Sequence, residues 1–205
     1  MKPASRSPSR RVPQAESGFT LMEMIVVVAV IGILVLITVP SFLGMLNRFK
    51  LTGTTREVAA LMQAARLESI KMSRTAQVNY DATSNTFFSF VDLDGDGTFS
   101  DGDKLLAGRV IIPRKVDFWG PGDGGPLGAN AIEGWDDAPV HGGPIYSSDG
   151  SVDRAGAFRF RDASGNFLEV RVEVPATGRI VLRKWFEADS AFFLNGESGH
   201  KWTWK

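Results

Sequence analysis

The sequence contains no cysteine. Disulfide cross-links, thiolate metal ligands and thiol nucleophiles are therefore excluded. It has only two histidines, His141 and His200, too few for a multi-histidine metal centre. Net charge is also missing: 23 Lys and Arg balance 23 Asp and Glu. A general nucleic-acid binder carries a basic excess, so that class is disfavoured. No Gly-x-Ser-x-Gly elbow and no Walker-type phosphate loop occurs, and the glycines of 120–128 neither follow a strand nor open a helix. With no oriented nucleophile and both histidines reading as surface residues, an enzyme is the least favoured class. The 205 residues, 43% of them apolar, fit one ordinary folded domain plus something small.

What is present is unevenly spread. Residues 1–18, MKPASRSPSRRVPQAESG, carry Lys2, Arg6, Arg10 and Arg11 against Glu16 alone. Then comes FTLMEMIVVVAVIGILVLITVP, in which every residue from Met24 to Val39 is apolar or small except Thr38. As a helix, Phe19–Val39 reaches about 31 Å, enough to span a hydrocarbon core. The basic excess precedes this run, so the N-terminus is expected in the cytoplasm and the rest exported. A cleaved secretory signal needs a small-residue cut site after a short apolar core. Val39-Pro40-Ser41-Phe42 is a poor one, and the apolar run continues into a helical pattern. Glu23 lies just inside the run, where a carboxylate is costly and marks either the membrane boundary or a function.

Gly18-Phe19-Thr20-Leu21-Met22-Glu23 resembles the processing site of type IV prepilins and pseudopilins: a short basic leader ending in Gly, then Phe, Thr-Leu, and Glu as the fifth mature residue. The resemblance implies that an inner-membrane prepilin peptidase cuts between Gly18 and Phe19 and that the new amino group of Phe19 is methylated. It implies that Glu23 neutralises the N-terminal amine of a neighbouring subunit, which gives a buried acid the partner it needs. Gly32 and Pro40 sit where helices of that family loosen in a filament; Pro removes a backbone hydrogen bond and Gly lowers helix propensity.

Beyond Ser41 the helical pattern continues to Met72. Val58, Leu61, Met62, Ala65, Ser69 and Met72 form one stripe, which Leu67 and Ile70 are expected to widen. Strands are expected at Gln77–Tyr80, Thr86–Val91, Lys104–Ile112, Ala157–Arg161, Phe167–Val174 and Arg179–Trp185. In FLEVRVEV, Leu168, Val170, Val172 and Val174 should face one way and Glu169, Arg171 and Glu173 the other. The Ala64–Ile70 segment, Ser147-Ser148-Asp149-Gly150, Phe158-Arg159-Phe160 and Thr177-Gly178-Arg179 resemble the GspH/FimT branch of pseudopilins and minor pilins. Fold class is accordingly α+β: a long N-terminal transmembrane and assembly helix packed on a small antiparallel β domain. The expected segments are 1–18 as leader, removed; 19–40 as the membrane and filament-core half of the helix; 41–74 as its periplasmic half; and 75–205 as the β domain. The resemblance implies a minor pseudopilin at the tip or initiating complex of a type II secretion pseudopilus. The alternative is a minor type IV pilin in pilus assembly, motility or DNA uptake. Implied partners are other pilins or pseudopilins, the prepilin peptidase, the inner-membrane assembly platform and membrane lipid.

Three further stretches have their own chemistry. Asp92, Asp94, Asp96, Thr98, Ser100 and Asp103 reproduce the oxygen spacing of a calcium loop with Gly97 at its sixth position. Against it, the preceding residues read as a strand and Asp103 is short for a bidentate ligand, so an acidic β-turn is the competing reading. No cofactor is required. The Gly/Pro-rich run at about 119–144 reads as a variable surface loop, or as a partner contact anchored by exposed Trp119 and Trp135. Arg179, Arg183 and Lys184, with Trp185 and the Trp202/Trp204 end, could hold nucleic acid, but Glu187, Asp189 and Glu197 dilute the charge and make it an unfavoured partner.

Overall fold

The computed structural model describes residues 18–128, 130–135 and 141–204, with only the backbone of His141. The expected leader, up to residue 17, lies outside the described residues. The chain divides into two compact units, one ending at Ser41 and one beginning at Phe42.

Helix α1 runs from Leu21 to Met72. Its start is capped by Thr20, whose Oγ1 accepts the Glu23 N–H at 3.2 Å, while the Thr20 carbonyl accepts from Met24. Its end follows the usual left-handed stop: Ser73 has φ 51°, and the Arg74 N–H donates to Ser69 O at 3.1 Å. In the N-terminal unit the helix is apolar all round and its side chains are exposed, Leu21, Ile25, Val28, Leu34 and Leu36 among them. By length and composition it can cross a membrane. Such surroundings favour a helix even for a Val/Ile-rich run, because all backbone groups must pair internally. Helical assignment continues through Pro40, which has no N–H to give to Leu36.

In the second unit the helix buries Leu51, Thr54, Thr55, Val58, Ala59, Leu61, Met62, Ala65 and Ser69. The stripe is narrower than expected: Leu67 and Ile70 are exposed. Among the described residues eleven strands follow: β1 (Ala76–Asp81), β2 (Thr86–Val91), β3 (Lys104–Leu105), β4 (Val110–Ile111), β5 (Val116–Phe118), β6 (Ile132–Glu133), β7 (His141–Tyr146), β8 (Gly156–Asp162), β9 (Phe167–Val174), β10 (Arg179–Phe186) and β11 (Ala191–Phe193). They form two antiparallel sheets, one ordered β3-β2-β1-β7 with β4 also on β2, the other β11-β10-β9-β8-β5 with β6 also on β8. Val78, Tyr80, Phe87 and Val91 from the first sheet share a single buried cluster with Phe158, Phe160, Leu168, Val170 and Val172 from the second and with the helix stripe.

The expected strand Lys104–Ile112 is interrupted. Both β3 and β4 pair with β2, but Phe90 opposes Leu105 while Phe87 opposes Val110, a slip of two residues. The extra length bulges around Gly108 at φ 100° and turns Leu106 into the core. The run at 119–144 is also not one surface loop. It contains β6 and the first part of β7, and some of its glycines serve close packing: a Cβ on Gly143 would strike the Phe158 ring and Val78 O. Trp135 is 7% exposed, its ring 4.7 Å from that of Phe158, with Nε1–H donating to Arg154 O. The expectation of an exposed Trp135 anchor is thus corrected. In β9 the alternation of direction holds but not that of burial: Val174 is partly exposed, whereas Glu169 is buried on the outer face beneath Arg159 and Arg171.

Candidate functional site

The N-terminal site is built from very few groups. Gly18 and Phe19 are exposed ahead of the helix. Thr20-Leu21-Met22-Glu23 is also a capping-box sequence, a signal that reading Glu23 only as an assembly residue overlooks. Glu23 occupies the first turn, where the helix dipole favours a negative charge. Among the described residues its carboxylate has no hydrogen-bond or ion-pair partner. Around it stand exposed Met22, Met24 and Val26. The segment therefore offers one carboxylate on an otherwise apolar surface. Gly32 has open space around its Cα, and Pro40 lies inside the helix.

In the second unit three of the segments singled out from sequence, Ala64–Ile70, Ser147–Gly150 and Thr177–Arg179, converge on one junction. Arg66 Nε–H donates to Gly150 O at 2.9 Å, and Ser69 Oγ–H is 3.0 Å from Ser147 O. Gly150 and Gly178 both have positive φ, 80° and 57°. A Cβ on Gly178 would lie 2.7 Å from Gly150 O and 2.8 Å from Arg66 Nε. The helix is pinned here to both turns; Gly178 is required by conformation and by space, and Gly150 by conformation.

Asp92, Asp94 and Asp96 do come together, each placing one carboxylate oxygen within 4.8 Å of the others. Thr98 and Ser100 serve the loop itself: the Thr98 N–H donates to Asp96 Oδ1 at 2.7 Å and the Ser100 hydroxyl to Asp94 Oδ2 at 3.1 Å. Asp103 closes the loop, accepting the Leu93 N–H at 2.9 Å and the Ser100 N–H at 2.8 Å. Those bonds hold its carboxyl below the usual range, the Leu93 amide contributing most. Asp92 accepts Gly95 and Gly97 N–H groups. The first three aspartates supply the hard oxygens that suit a divalent cation, while Asp103 is committed to the backbone.

The cations of the second sheet are largely matched by carboxylates. Arg179 and Arg183 both pair with Glu173, Arg159 with Glu133 and Glu169, and Arg171 with Glu133. Burial pushes the Glu169 carboxyl up, against the opposing pull of Arg159 and Arg171. Lys184 is buried; its ammonium donates to Thr203 O and lies 4.8 Å from the Trp204 ring centroid. Arg179, Arg183 and Lys184 thus do not share one free basic surface: the first two serve Glu173, and the third holds the C-terminal segment.

The prokaryotic N-terminal methylation motif is matched over residues 13–39. Two fimbrial proteins of Pseudomonas aeruginosa are each 44% identical to the chain over 52 residues, a quarter of this chain. The match spans about a third, 34%, of the length of these relatives. No solved structure matches. The motif and the fimbrial similarity support a type IV pilin-like protein, and the α+β layout is consistent with that fold.

Proposed function

We propose that the chain is a minor pseudopilin of the GspH/FimT type, a structural subunit of the tip or initiating complex of a type II secretion pseudopilus. The observation that carries the filament reading is an exposed, wholly apolar helix surface bearing the single acid Glu23 within the matched motif. In this reading the chain is held in the inner membrane by 19–40 with the β unit in the periplasm. Prepilin peptidase cuts between Gly18 and Phe19, and Phe19 is N-methylated. In the filament the apolar faces of neighbouring helices replace lipid, and Glu23 pairs with a neighbour's terminal amine, which removes the cost of an isolated buried charge. Gly32 and Pro40 let the helix yield as it packs. The fimbrial relatives favour a second reading, a minor type IV pilin.

The first test compares secreted proteins and surface pili in strains carrying the wild type, a deletion and Glu23→Ala. Loss of a set of exported enzymes in both mutants supports secretion; loss of pili with secretion intact supports the second reading. If Glu23→Ala assembles as well as wild type, the filament role of this residue is wrong.

A further inference from the structure

Arg161 stands apart from the other arginines of the second sheet. It lies on the outer face of β8 opposite Phe167. Its guanidinium is 4.3 Å from the Trp119 ring centroid and 5.6 Å from that of Phe167. Among the described residues it has no hydrogen-bond or ion-pair partner, and its Nε is buried without an acceptor. Two aromatic rings therefore flank the fork, its buried Nε–H has no acceptor, and its terminal N–H groups have no protein partner among the described residues.

Those donors border a cleft of about 650 Å³, within the size range of small-ligand sites. Phe167, Trp185 and Trp204 supply aromatic wall, and Glu187 and Ser190 supply polar groups. The cleft is built in advance. Buried Asp162 accepts the N–H groups of Ser164 and Asn166 and the Asn166 amide, each at 2.9 Å. This fixes the turn at the cleft edge, with Gly165 at φ 82° beside the guanidinium. On the other side Lys184 anchors the irregular C-terminal segment that presents Trp204.

We propose that this cleft binds a carboxylated pyranose, a uronate unit of an acidic polysaccharide. Arg161 takes the carboxylate through its planar fork. The aromatic faces take the C–H face of the ring, and Glu187 and Ser190 take hydroxyls. A nucleic acid fits less well, because its backbone needs a track of cations, whereas Arg179 and Arg183 are consumed by Glu173. A peptide added as a strand fits less well because the end of β10 that lines the cleft, Lys184–Phe186, is already paired with β11.

The test uses the full chain in detergent micelles, titrated with trigalacturonate and with neutral galactotriose and followed by calorimetry. Trigalacturonate should bind saturably and roughly tenfold tighter than the neutral sugar, as one charge-assisted pair requires. Arg161→Gln should remove that preference while leaving the melting temperature in place. Should that variant unfold, the Arg161 Nε–H resonance of the wild type gives the same answer, moving with the uronate and not with galactotriose. Equal binding of the two sugars, no saturation by the uronate, or tighter binding of a thymidine oligonucleotide or of a peptide carboxylate over its amide would each overturn the proposal.

Discussion

The junction of Arg66, Gly150 and Gly178 permits a quantitative test of how the helix is locked to the β unit. Gly178→Ala imposes two costs. A left-handed conformation costs an L-residue about 1–2 kcal/mol. The new Cβ would also lie 2.7 Å from Gly150 O, a backbone atom that already accepts from Arg66; relieving such overpacking costs about 1–3 kcal/mol more. Gly196→Ala is the control, since Gly196 has φ 89° but nothing near its Cα. It should show the conformational cost alone, about 1–2 kcal/mol. For a domain of this size about 1 kcal/mol moves the melting temperature by about 2–4 °C. Gly178→Ala should therefore lower it by about 4–20 °C and Gly196→Ala by about 2–8 °C, with the first always the larger. All five tryptophans lie at or beyond residue 119, so near-UV circular dichroism of the full chain in micelles reports the β unit and not the apolar helix. Equal shifts for the two variants would refute the argument that Gly178 is required by space.

Three other outcomes follow from the geometry. Trp135→Ala should destabilise the β unit by about 3–5 kcal/mol as a buried aromatic; a change within about 0.5 kcal/mol would mean that Trp135 is a surface loop residue after all. The two ring nitrogens of His200 both face acceptors, Glu197 O at 3.1 Å and Asp189 Oδ2 at 2.9 Å, and the hydrogen bond with Asp189 is the main cause of its raised pKa. The resulting stability is fully present below the ordinary value of 6.5 and is lost as pH rises through the higher folded value. Melting temperature should therefore fall across that window in the wild type and fall less in His200→Gln; parallel profiles would refute it. Calcium at about 100 times its dissociation constant should stabilise the fold by about 2.7 kcal/mol if the Asp92–Asp96 cluster binds it. Asp92→Asn should abolish the shift, and a flat calcium titration of the wild type would exclude the site.

The elements legible in sequence were those whose pattern is local. Thr86–Val91 and Phe167–Val174 are found with the expected bounds because alternation and β-branched or aromatic residues coincide there. The long helix is legible from its apolar run and from the stripe at Val58, Leu61, Met62, Ala65 and Ser69. What stayed hidden depends on partners distant in sequence. Gly143 reads as a breaker until Phe158 and Val78 O are seen to occupy the space of its missing Cβ. Glu169 reads as a solvent-facing residue, yet arginines from its own strand and a neighbour cover it. The N-terminal motif was legible because it is contiguous, whereas Arg161 gave no signal because the rings that fix it come from Trp119 and Phe167.

The two units meet their surface requirements in opposite ways. From Leu21 to Val39 the helix leaves apolar side chains exposed and, among the described residues, a carboxylate without a partner. In the filament reading proposed above, lipid or neighbouring chains cover both. The second sheet closes its charges on itself, four of its arginines meeting three glutamates. A mutation at Glu23 should therefore alter assembly and spare stability, whereas one at Glu169 or Glu173 should strand arginines and act on the fold. Arg161 breaks this rule inside the β unit, and for that reason it marks where the unit has a ligand still to meet.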